Sequence, residues 1–127
     1  MRGGENEYVA HVLELLRRWA PVAARRMFGG YGIYRGDIMF ALIADDTLHF
    51  KTDAGNRADY EAAGMAPFSY ARAGRAAVSM SYHAVPPDLL ETGDELGAWA
   101  EQAFAAALRA RRTTKPTRKT RRPAAID

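Results

Sequence analysis

The sequence predicts an α+β domain in which helices flank an antiparallel sheet, and three observations carry that prediction. Apolar residues recur at helical spacing near both ends of the chain, at 5–19 and 96–108. Between Arg25 and Lys51, and again from Pro67 to His83, the apolar period shortens to that of a strand. The turn signals inside those stretches leave only a few residues between runs, which makes successive strands antiparallel neighbours. The element order that follows is α-β-β-β-α-β-β-α. At 127 residues, 48% of them hydrophobic, the chain suits one domain with its own core.

The first helix is placed at 5–19, where Val9, Val12, Leu13 and Leu16 form one stripe and Tyr8, Leu15 and Trp19 widen it. Pro21 and the glycines after Phe28 prevent its continuation. Three strands are expected at 25–34, 37–44 and 47–51, separated by Arg35-Gly36-Asp37 and Asp45-Asp46. The middle strand, Ile38 to Ile43, is apolar on both sides and reads as covered on both faces. In Thr47-Leu48-His49-Phe50-Lys51 only alternate residues are apolar, so one face should meet water. Asp53 is a candidate cap for a short helix at 54–63 that ends at Gly64. A second hairpin runs from Pro67 to His83, with Ala73-Gly74 near its turn. Pro86-Pro87 stops it, and Asp88 and Asp94 are candidate caps before the final helix, marked by Leu96, Trp99, Ala103, Phe104, Ala107 and Leu108.

Charge divides the chain. Arg109 to Arg122 holds eight basic side chains and no acidic one, whereas residues 1–108 carry 10 basic and 14 acidic. Residues 113–127 have no apolar periodicity and read as a disordered basic tail after a domain at 1–112. The cations Arg111, Arg112, Lys115, Arg118, Lys119, Arg121 and Arg122 are candidate contacts to nucleic-acid phosphates, which would give non-specific DNA affinity without sequence readout. A solvated tail that aids solubility is the alternative.

Several chemistries are excluded or unsupported. Without cysteine there is no disulfide, thiolate or cysteine-bound zinc. His11, His49 and His83 have no ligating spacing, so no metal or cofactor is expected. No apolar run reaches membrane-spanning length and the start has no apolar signal region, which predicts a cytoplasmic protein without membrane contact. Ser69, Ser79 and Ser81 lack a nucleophile setting, His83 beside Tyr82 reads as a strand residue, and Asp45-Asp46 reads as a turn. With no nucleophile, base and orienting group together, an enzyme is not expected.

Gly29-Gly30-Tyr31-Gly32 is followed by a strand rather than a helix, and no Gly-Lys-Ser/Thr is present, so it reads as a joint of the sheet and not as a phosphate loop. Arg35-Gly36-Asp37 reads as a hairpin turn. Lys51 is either an anion contact or a strand-edge charge. Most of the aromatics Tyr31, Tyr34, Phe40, Phe50, Phe68, Tyr70 and Tyr82 alternate with apolar neighbours in the pattern of core positions, which favours core packing over a base-stacking surface.

Arg26-Met27-Phe28-Gly29-Gly30-Tyr31-Gly32-Ile33-Tyr34, Met39-Phe40-Ala41-Leu42-Ile43, Leu48-x-Phe50-Lys51, Gly64-x-x-Pro67-Phe68-x-Tyr70 and Met80-Ser81-Tyr82-His83-x-Val85-Pro86 occur in that order. Over residues 8–108 the chain resembles the TfoX (Sxy) N-terminal domain family. The resemblance implies an α+β fold, often a homodimer, in regulators of DNA-transformation competence that work with a transcription factor such as the cyclic-AMP receptor protein. It implies a structural or partner-contact role for Met27, Phe28, Gly29, Gly30, Gly32, Tyr34, Lys51, Pro67, Phe68, Tyr82 and Pro86, and it supplies no catalytic residue. Two-domain members continue into a helical domain where this chain has its basic segment. The functional expectation is a non-enzymatic transcriptional co-regulator; the alternative is a protein- or small-ligand-interaction module with no nucleic-acid role.

Overall fold

The chain begins with an amphipathic helix, α1 (Gly3–Leu16), whose Val9, Val12, Leu15 and Leu16 are buried. The computed structural model describes residues 3–27, 29–72 and 75–114. Six strands follow in chain order: β1 (Ala23–Met27), β2 (Gly30–Arg35), β3 (Ile38–Ala44), β4 (Thr47–Lys51), β5 (Pro67–Arg72) and β6 (Arg75–Ala84). The helix α2 (Arg57–Ala62) separates β4 from β5, and α3 (Leu89–Thr92) and α4 (Leu96–Thr114) close the described chain. The strands form one sheet in the order β1-β2-β3-β4-β6-β5, with every pairing antiparallel. The α+β class and the approximate element order are those the sequence predicts.

The helices gather on one face of the sheet. Along α4, Leu96, Ala100, Ala103 and Ala107 are buried at helical spacing, and the small alanines let the helix approach β3 and β4 closely. Against them the sheet turns Ile33, Ala41, Ile43, Leu48 and Phe50. The rings of Trp19, Phe40 and Phe104 meet edge to face, with centroids 5.4 Å apart for Trp19–Phe40 and 6.2 Å for Phe40–Phe104. Tyr60 of α2 packs edge-on against Trp99 of α4 at 4.8 Å.

Local departures from the sequence expectation have identifiable causes. The strand expected at 25–34 is two strands, because the chain, with Gly29 at φ +81°, turns back between Met27 and Gly30. A β-bulge in β3 accounts for two adjacent buried residues. The register steps from Ile33–Ala41 to Tyr34–Met39, so Phe40 is the extra residue and joins Ala41 on the helical face. Met39 and Leu42 stay half-buried on the other face, so β3 is covered on one side and not on both. His49 is buried as well, although the pattern of β4 predicted it in water.

Asp53 does not cap α2 directly. Its Oδ1 accepts from the Gly55 amide at 2.8 Å, and Asn56 occupies the cap position. Asn56 instead staples the loop, accepting from the Asp53 amide at 2.8 Å and donating to the Lys51 carbonyl at 3.0 Å. Gly64, at φ +75°, ends α2: its amide donates to the Glu61 carbonyl and that of Met65 to Tyr60. Arg35 of the Arg-Gly-Asp turn lies over the rings of Trp19 and Phe104, at 4.9 and 4.6 Å, and so belongs to the core edge. The turn expected at Ala73-Gly74 lies outside the described residues.

Candidate functional site

Strand parity decides which side chains share the face opposite the helices. Met27, Gly30, Gly32 and Tyr34 follow one another on β1 and β2, and Gly32 pairs with Leu42, which in turn pairs with His49. Lys51 pairs with Tyr82, and His49 with Ala84. Most of the motif residues therefore lie on this open face. The half-buried Tyr34 and Tyr82 correct the expectation of core packing for these aromatics, and the half-buried Lys51 stands beside them. Phe40 and Phe50 do fill the core and Tyr31 is half-buried at its margin, whereas Phe68 is half-buried against His49 outside it.

Two cation–aromatic pairs stand on the open face. The Arg25 guanidinium lies over the Tyr34 ring at 4.5 Å, and the Lys51 ammonium over Tyr82 at 5.1 Å. Beside the first pair, Met27 and Met39 fill the dent above Gly32: a Cβ there would meet their sulfurs at 2.7 and 3.0 Å. Gly30 has a different reason, since its Cβ would run into the Ile43 carbonyl oxygen of the main chain. The glycine stretch is thus a turn and a close approach between strands, in line with a structural joint.

Burial lowers the Lys51 pKa, partly offset by Asp53. The Asp53 carboxylate is already committed, because Arg109 of α4 grips both of its oxygens at 2.7 and 2.8 Å. That grip holds its pKa below the usual carboxylate value. Burial raises the Tyr82 pKa, and the nearby Tyr34 phenol adds to the rise. Among the described residues no carboxylate pairs with Arg25 or Lys51.

Beside this patch is a cleft of about 200 Å³, lined among others by Asp45, Thr47, His49, Pro67, Phe68 and Ser69. His49 is 8% exposed, with Phe68 edge-on to it at 4.9 Å. Its Nδ1 lies 3.0 Å from the Thr47 carbonyl, a contact that makes Nδ1 the donor. Burial lowers its pKa and keeps the ring neutral at pH 7. His83 lies on the helical face, 1% exposed and 2.8 Å from the Thr52 hydroxyl, its pKa lowered by burial and then by Arg57. Among the described residues no three His, Asp or Glu side chains gather to hold a metal ion.

Of the remaining motif residues, Gly29 forms the β1–β2 turn, Pro67 opens β5 and Pro86 is buried after β6. Phe28 lies outside the described residues, as do Lys115, Arg118, Lys119, Arg121 and Arg122. Arg111 and Arg112 are exposed in the last turn of α4, where cations also complement the helix dipole. Arg109, counted with the basic segment by sequence, belongs to the fold through Asp53. The sequence reading did not place Arg25, Met39 or His49 among the site residues; strand parity relative to Tyr34 and Lys51 is the signal that would have found them. No helix among the described residues is long and apolar enough to cross a membrane.

A family model described as TfoX N-terminal domain matches residues 14–107, from the second half of α1 through most of α4. Comparison with curated proteins gives no match.

Proposed function

The chain belongs to the TfoX N-terminal domain family, and on that premise we propose that it is a non-enzymatic, TfoX-like co-regulator of competence genes in the cytoplasm. The family match is the observation that carries this reading. The folded domain contacts a protein partner, a transcription factor such as a cyclic-AMP receptor protein or a second copy of the chain. The cations from Arg111 to Arg122 add non-specific attraction for duplex DNA by neutralising phosphates. Arg109, at the head of the basic segment, is paired with Asp53 and stands outside the set proposed to contact DNA.

The test is duplex binding by the full chain and by a full-length variant with Lys115, Arg118, Lys119, Arg121 and Arg122 replaced by Gln, across a salt series. The expected result is weaker binding in the variant and a shallower dependence on salt, by about 0.9 in log–log slope per phosphate contact removed. Equal binding by both chains would remove the segment from the mechanism. The cleft at His49 favours a second reading, an interaction module with no nucleic-acid role. Recovery of a stable protein complex by a chain that retains no DNA at low salt is the outcome that selects it.

A further inference from the structure

The open face of the sheet has a composition that a simple protein-packing surface does not need. Two half-buried tyrosines stand on it, each with a cation over its ring, and the thioethers of Met27 and Met39 lie over Gly32 beside the Arg25–Tyr34 pair. Neither cation is neutralised by a carboxylate among the described residues, and Asp53, the acid that acts on Lys51, is held by Arg109 through both oxygens. The half-buried Lys51 ammonium gives up hydration for only a partial return from Asp53, so an anion brought to this face gains more than at an open surface. The rings provide flat, sequence-tolerant surfaces for planar groups.

The spacing selects among anions. Arg25 is on β1 and Tyr82 on β6, four strand intervals away in the order β1-β2-β3-β4-β6. At roughly 4.8 Å per interval the patch is about 19 Å wide. That width exceeds a single nucleotide and matches an open sheet that stacks two or three bases. A duplex keeps its bases stacked inside and offers this face only phosphates. An acidic peptide would satisfy the cations and leave the rings without planar partners.

We infer that this face binds single-stranded nucleic acid, with bases stacked on Tyr34 and Tyr82 and phosphates met by Arg25 and Lys51. The proposal goes beyond the regulatory reading, because it uses none of the C-terminal cations and needs no transcription-factor partner.

The test uses the full-length chain carrying the five Gln replacements at 115–122, so that the duplex-binding segment does not contribute. A fluorescent 12-mer of dT is titrated and its anisotropy followed, with a 12-bp duplex and poly-glutamate as competitors. The expected result is saturable binding of dT, with both competitors displacing it poorly. Tyr34→Ala and Tyr82→Ala should each weaken binding by about 5- to 150-fold. Tyr82→Phe and Tyr34→Phe should restore it, and Lys51→Gln should lower the salt slope by about 0.7. Melting curves establish that each alanine variant is folded; if one is not, the Lys51→Gln slope decides. No binding of dT, equal competition by the duplex, or binding unchanged in folded alanine variants would overturn the proposal. Displacement by poly-glutamate as effective as by unlabelled dT would also overturn it and assign the face to an acidic protein segment.

Discussion

The two faces of the sheet are built from the same alternating pattern and end in different states. On the helical face Phe40, Phe50, Ile33 and Leu48 are essentially inaccessible, and their neighbours are apolar. On the open face Tyr34, Lys51 and Tyr82 are only half-buried, and the contacts they make join rings to cations. Apolar periodicity therefore reports that a strand has two sides, and not which of them the helices cover. The polar atoms make the distinction: a ring that keeps a hydroxyl and a cation beside it is placed where water or a ligand can reach.

The comparison breaks most visibly under truncation of single rings. Phe50→Ala should lower unfolding free energy by about 3–5 kcal/mol, because it leaves a cavity beneath α4. Tyr82→Ala should cost less, about 1–2 kcal/mol, since the ring is only partly buried. Urea denaturation of the two variants measures both, and similar losses would mean that the open face is a second core.

Next in size is Gly30→Val, expected to cost about 1–3 kcal/mol because the new side chain meets the Ile43 main-chain carbonyl and cannot displace it cheaply. A variant with the wild-type melting temperature would contradict the close approach of β2 and β3. The same substitution at Gly36, where no neighbour lies within 4 Å of the added Cβ, isolates the cost of the positive φ alone.

A smaller effect depends on pH. Burial lowers the pKa of His83 in the folded state below its unfolded value of about 6.5, and His49 shifts in the same direction. The unfolded chain then binds protons more readily, so this stability is complete above about pH 6.5 and declines as pH falls below it. Melting temperatures measured from pH 7.5 to 5.5 should decrease, and His83→Gln should flatten the decrease. A profile that is level in wild type would show that neither ring is held neutral by the fold.

The smallest expected change is in the ion pair that joins α4 to the β4–α2 loop. Arg109→Ala should cost about 0.5–1 kcal/mol, since both side chains are partly exposed and screened by solvent. It should leave the open face intact. A larger loss would mean that the loop after Lys51 depends on this one contact.

Much of the order of elements was legible in the sequence because helical and strand periods differ and the turns carry glycine, proline or aspartate. The turn between Met27 and Gly30 was not, because an apolar pair followed by glycines continues a strand pattern as readily as it turns one. The bulge at Phe40 was equally hidden, since a single inserted residue leaves no compositional trace and shifts the faces of everything beyond it. Arg109 looked like the first residue of a basic run, and only the fold brings Asp53, 56 residues earlier, against it. For the site, the sequence pointed to Tyr34, Lys51 and Tyr82 through the motifs. It could not show that they share a face, because that depends on β4 pairing with β6 rather than with β5.

An amide chemical-shift map of the full chain titrated with the dT 12-mer would distinguish a face that holds the molecule together from one that makes its contacts. Changes are expected at Arg25, Gly32, Tyr34, Met39, Lys51 and Tyr82, with the buried positions of α1 and α4 unaffected. Changes confined to residues 111–122 would contradict that expectation and leave the basic segment as the sole contact.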